Sequence, residues 1–176
     1  MRIVYFVHAT TEDNERGLAT GWNDVPLSAK GRCQAEELRD AVAGRFDVVI
    51  CSDLERALET ARIAFAPIVP VADRRLHEID YGTLAGCPAA EVKKDLTRYT
   101  DKPFPGGESY EDVRARVAAF LDEIRGKYID RRVALVAHQA PQLAIDVILY
   151  GKTWTEAFRD DWRNTKAWQP GWSHEV

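Results

Sequence analysis

Residues 133–140 read VALVAHQA. Five apolar residues without polar alternation, closed by a histidine, are the form of a strand covered on both faces. Working outward, the same form occurs at 3–9, IVYFVHA, and in VVICSDLER at 48–56. Each run is rich in β-branched residues, and each is followed, directly or after a loop, by a helical pattern. Alternation of that kind predicts an α/β fold: a three-layer sandwich with a mostly parallel central sheet and helices on both faces. Ile68 to Val71 reads as one more strand.

The helix starts are marked by polar caps. Ser28 precedes a helix to Val42, and Ser52 with Glu55 reads as a capping box for a helix to Phe65. Ser109 with Asp112 opens a long helix to about Tyr128. Pro141 suits the first turn of a helix ending near Gly151, and Thr153 with Glu156 caps a last one. Between Glu78 and Ser109, a short helix from Pro88 and the turn PFPGGES read as a lid-like excursion, 79–109, from a single domain spanning 1–176. The Trp-rich tail (Trp162, Trp168, Trp172) is too apolar to hang free and is expected to pack back.

The chain has 176 residues, 45% of them hydrophobic, which suffices for one core. Its net charge of −4 provides no basic excess for a nucleic-acid backbone or an anionic membrane, so any anion must be held locally. The apolar run near the start, Ile3 to Val7, is too short for a signal core or a membrane span, and a cytoplasmic protein is expected. Three cysteines (Cys33, Cys51, Cys87) lie far apart without a CxxC pair, which favours buried free thiols over disulfides or zinc.

Function is suggested by position. His8 follows the first strand, Ser52 to Arg56 the second, and His138 the third. In a parallel α/β sheet these carboxyl ends share the edge where ligands bind. Alone, each histidine is more often a structural residue, Arg56 a surface ion pair with Glu55 or Glu59, and Glu78 a solvated carboxylate. Together, two of only four histidines end the two most apolar strands. Arg56, one turn into a helix, is placed to bind a phosphate there. CSDLER is one residue too short between Cys51 and Arg56 to match the phosphate loop of cysteine-dependent phosphatases, and that reading is rejected.

These segments, in order, resemble the histidine phosphatase (phosphoglycerate mutase-like) superfamily. VYFVHATTEDN is similar to its opening strand and Arg-His-Gly motif, ATGWNDVPLSAKGRCQA to the following loop and helix, and CSDLERALETA to its second arginine motif. LHEIDYGTLAG is similar to its acidic loop, PGGES to a turn of its smaller phosphatases, and LVAHQA to its second histidine motif. The resemblance implies His8 as the nucleophile, Arg56 and His138 as ligands of the transferred group, and Glu78 as the proton donor. It places Asn14, Thr20 and Gln139 among the phosphate-binding positions. It implies a small phosphorylated substrate or inorganic phosphate as the partner, with no metal and no organic cofactor.

The departures are specific. Val7 stands where the family has arginine, Ala9 where it has glycine, and Gln139 follows the second histidine where glycine is common. Gln139 or Arg16 is open as a substitute donor. The short stretch between Glu78 and Glu108 favours hydrolysis over mutase activity. A phosphate-binding protein that has lost turnover along with the arginine is the alternative. A metal hydrolase using His8, His138 and Glu78 ranks third, because Arg56 would repel the ion.

Overall fold

The computed structural model describes residues 1–165 and 171–176. Strands β1 (Arg2–Val7), β2 (Val48–Cys51), β3 (Val71–Ala72), β4 (Arg132–Ala137) and β5 (Trp172–Glu175) form one sheet in the order β3-β2-β4-β1-β5. The first four run parallel, and β5 pairs with β1 in the opposite sense. Helices α1 (Glu12–Arg16), α2 (Ala29–Val42), α3 (Glu55–Ala64), α4 (Ala89–Val92), α5 (Tyr110–Lys127), α6 (Gln139–Tyr150), α7 (Trp154–Arg159) and α8 (Trp162–Thr165) complete the fold. No helix among the described residues is long and apolar enough to cross a membrane.

The unalternating strands have the predicted cause. Tyr5, Leu135 and Ile50 face a core shared with Val113, Val117 and Phe120 of α5 and Leu143 of α6. Phe6, Val136 and Val49 face a second core, with Val42 of α2, Phe46 and Phe65. Both faces are covered, so no position in β4 beyond Arg132 meets water.

The helix starts at Ser28, Ser109 and Thr153 are capped as expected, the last two by full capping boxes, and α6 ends at Gly151. Ser52 is a correction. Helix α3 starts from Leu54 without a side-chain cap, while Ser52 Oγ accepts from Leu54 N at 3.3 Å. The N–H of Glu55 instead reaches Asp24 Oδ1 at 2.7 Å, so the cap comes from a distant loop. The strand at Ile68 to Val71 shrinks to Val71–Ala72, because Ile68 N–H closes a turn on Phe65 O and Pro70 has no N–H to give a ladder. The thiols also differ from expectation: Cys51 is buried, Cys87 half-buried and Cys33 exposed.

The 79–109 segment is a packed cover. Ile79, Tyr81, Val92 and Phe104 join the core under α5, and Pro88 bridges to Leu18. The tail packs back through β5, with Trp172 stacked on Trp162; Trp168 lies outside the described residues.

Candidate active site

Register sets the two histidines side by side. Val7 pairs with Ala137, and His8 N–H continues the ladder to Ala137 O at 2.9 Å. The next residue on each strand is therefore a histidine, and their rings lie 5.0 Å apart between centroids. Tyr5 fixes the level of the second: its hydroxyl donates to His138 O at 2.7 Å and accepts His138 N–H at 3.0 Å. Burial raises the Tyr5 pKa, which keeps that proton in place.

His8 Nδ1 lies 2.7 Å from Ala9 O. A carbonyl only accepts, so Nδ1 carries the ring proton and Nε2 keeps its lone pair. Burial, with Arg56 next in weight, lowers the His8 pKa to about 3. His138 is 1% exposed, and neither of its ring nitrogens has a hydrogen-bond partner among the described residues. Burial, then Arg56 and His8, holds it well below its usual range.

Arg56 is also 1% exposed. Its Nη1 donates to Asn23 O at 2.9 Å and its Nη2 to Gly21 O at 2.7 Å, which aims the fork and, among the described residues, leaves its other donors uncommitted. Thr60 joins this helix to the first loop, donating to Arg56 O and accepting from Ala9 N–H. Gly31 lets α2 lie against the same loop, since a Cβ there would sit 2.0 Å from Thr10 O.

Glu78 caps α6. Its Oε1 accepts from Ala140 N at 2.9 Å and Ile79 N at 3.0 Å, and its Oε2 from Gln139 N at 3.2 Å. A carboxylate is at home on a helix N-terminus, and this one ties the acidic loop to His138. Sequence reading missed the groups that hold the loop. Arg116 of α5 donates to Arg75 O and Glu78 O at 2.7 and 3.0 Å and pairs with Glu108, while Trp22 Nε1 donates to Glu78 O at 2.7 Å. His77 Nε2 pairs with Asp53. Gly107 of the PGGES turn lets that turn clamp the loop, because a Cβ would lie 2.1 Å from Asp80 O.

The remaining expected residues divide. Asn14 lies beside Val7 and His8, but its Oδ1 caps α1 by accepting from Thr11 N and Oγ1. Thr20 donates its hydroxyl proton to Asp13, and Gln139 donates its amide to Asp161. Arg16 points outward onto Glu12 and is no substitute for the guanidinium absent at position 7. Two cations that sequence reading missed, Lys93 and Arg163, are close enough to His8 to oppose its protonation. Nothing local marked them, since one stands in a lysine pair and the other in the Trp-rich tail. Among the described residues no cluster of three or more His, Cys, Asp or Glu side chains is arranged to hold a metal.

A model of the histidine phosphatase superfamily (branch 1) matches residues 4–173. The chain belongs to the histidine phosphatase superfamily. Its relatives include phosphoserine phosphatase 1 of Hydrogenobacter thermophilus, 33% identical over 162 residues, covering 86% of this chain and 77% of that one. They also include a 2,3-bisphosphoglycerate-dependent phosphoglycerate mutase of a Methylobacterium species, 34% identical over 165 residues, covering 83% and 79%. Among solved structures, a mutant phosphoserine phosphatase from Entamoeba histolytica in complex with phosphoserine superimposes with a TM-score of 0.81 at 25% identity, covering 90% of this chain and 84% of that one. A mycobacterial glucosyl-3-phosphoglycerate phosphatase with VO3 gives 0.80 at 27%, covering 90% and 86%. The α/β architecture is that of this superfamily, whose members include phosphatases and phosphoglycerate mutases.

The histidines give the fold a stated response to acid. All four are held below their ordinary pKa of about 6.5, His8, His77, His138 and His174 alike, with burial the leading cause in each. An unfolded chain takes up these protons near pH 6.5 while the folded one stays neutral. The unfolded state therefore binds more protons below that pH, and stability falls as pH drops from about 6.5 towards 3. The melting temperature is expected to decline from about pH 6.5 downward, well before carboxylates titrate, and His138→Asn should flatten the slope. A flat profile from pH 7 to 5 would contradict the burial described.

Proposed function

We propose that the protein hydrolyses the phosphomonoester of a small metabolite through a phosphohistidine at His8. The observation that carries this reading is the facing pair of uncharged imidazoles at the sheet's carboxyl edge, with His8 Nε2 left as a lone pair beside the Arg56 guanidinium. In the first step His8 Nε2 forms a bond to phosphorus as the ester P–O bond breaks, and a protonated Glu78 gives its proton to the leaving oxygen. Water then attacks phosphorus as the P–N bond to His8 breaks and its electron pair returns to Nε2; the proton lost by the water goes to Glu78, and inorganic phosphate departs. Arg56 and His138 stabilise the equatorial oxygens.

Relatives named for phosphoserine and for glucosyl-3-phosphoglycerate support a small phosphorylated substrate. Neither metal nor organic cofactor has a part in these steps. One observation favours a second reading, a phosphate-binding protein without turnover: Val7 and His8 line a cavity of about 600 Å³ with Ala35, Leu38, Asn14 and Glu37, and no arginine is among its lining residues in the described part of the chain.

A panel of phosphomonoesters with a chromogenic member, assayed with and without chelator, tests the first reading. Turnover that survives chelation is expected, with phosphate released to water in preference to added alcohols. Tight phosphate binding with no release would select the second reading, and loss of activity on chelation would sink both.

A further inference from the structure

Lys93 ends the short helix α4 of the cover, and its Nζ donates to Gln139 Oε1 at 2.6 Å. Gln139 immediately follows His138, and its backbone N–H binds Glu78. The side-chain amide of Gln139 is fixed at its other end by donating to Asp161, which Arg163 clamps through Nη1 at 2.8 Å. The lid, the second histidine and the C-terminal segment are thus joined by one chain of polar contacts. The Lys93 ammonium at its end is one hydrogen bond from the residue that follows His138.

Resting on the phosphatase reading, we propose that Lys93 is a substrate-contacting residue, which supplies to the transferring phosphoryl group the cationic contact that Val7 cannot make. Of the two cations near His8, Arg163 is the more committed, to Asp161 and to Gln142 Oε1 at 3.4 Å. Lys93 has one hydrogen-bond partner among the described residues, and an ammonium carries three protons, so two remain for an anion. The site also explains why Gln139 replaces a residue without a side chain: its carbonyl oxygen orients the lysine, and its amide is anchored so that it cannot turn and present N–H to Nζ. Burial lowers the Lys93 pKa while Glu78 raises it, and an incoming phosphate adds to the second influence.

The test compares Lys93→Gln, Lys93→Met and Lys93→Arg in the full chain, by calorimetric binding of orthovanadate and by kcat/KM on p-nitrophenyl phosphate. Glutamine keeps a donor for Gln139 but removes the charge; arginine keeps the charge. Lys93→Gln and Lys93→Met should both weaken vanadate binding and lower kcat/KM by about tenfold to a hundredfold, the weight of one charged hydrogen bond. Lys93→Arg should recover most of both. A merely structural lysine would behave oppositely, with glutamine restoring what methionine loses, and melting curves on each variant separate misfolding from lost contact. Vanadate binding by Lys93→Gln within twofold of the unaltered protein overturns the proposal and leaves the phosphatase reading intact. Failure of the unaltered protein both to bind vanadate and to turn over overturns the two together.

Discussion

His8→Ala is expected to abolish turnover and phosphoenzyme together. Deleting a covalent nucleophile removes the step on which the others depend, and losses on the order of 10⁴-fold or more are the scale for such a change. The fold should survive. The His8 backbone N–H still continues the ladder to Ala137 O, and the lost side-chain bond to Ala9 O is worth about 1 kcal/mol. The measurement is mass spectrometry of intact protein quenched at alkaline pH during turnover, with steady-state rates beside it. A phosphoryl adduct that persists in His8→Ala would place the nucleophile elsewhere.

Arg56→Ala should be the second largest effect, acting on rate and stability at once. Loss of a positioned charged donor costs about 10²–10³ in rate, by analogy with removal of one oxyanion donor. Removal also strands the carbonyls of Gly21 and Asn23, which the guanidinium now satisfies, at about 1–3 kcal/mol for each that water cannot reach. Arg56→Lys separates the two. Lysine keeps the charge but lacks the fork that spans both carbonyls, so it should recover rate only partly and leave the melting temperature depressed. A folded Arg56→Ala that keeps kcat/KM within tenfold would remove Arg56 from the chemistry.

How much of this was legible in the sequence depends on how local each signal was. The three buried strands could be read because each is a contiguous apolar run, and the polar residues at their ends were set by strand direction alone. Ser28, Ser109 and Thr153 could be read because a cap and its amide lie three residues apart. Helix α3 was legible but its cap was not, since Asp24, which meets its first N–H, is 31 residues away from Glu55. The same reason hid Arg116, Lys93 and Arg163, whose roles arise only once α5, the cover and the tail are packed. Gln139 did carry a signal, an amide beside a buried histidine, but its commitment to Asp161 and Lys93 rests on tertiary contacts.

The placement of β4 between β1 and β2 bears on how the chain reaches this state. Strands β1 and β2 never pair with each other; β4 is the strand they share, joined to β1 through contacts such as Val7 to Ala137, 130 residues apart. Such long loops make closure slow, and until it happens both early strands present unpaired apolar edges. A nascent chain that has not yet delivered β4 therefore has nothing to join β1 to β2, and it lacks His138. The segment that brings His138 to the proposed site is also the one that ends the interval of greatest exposure to aggregation.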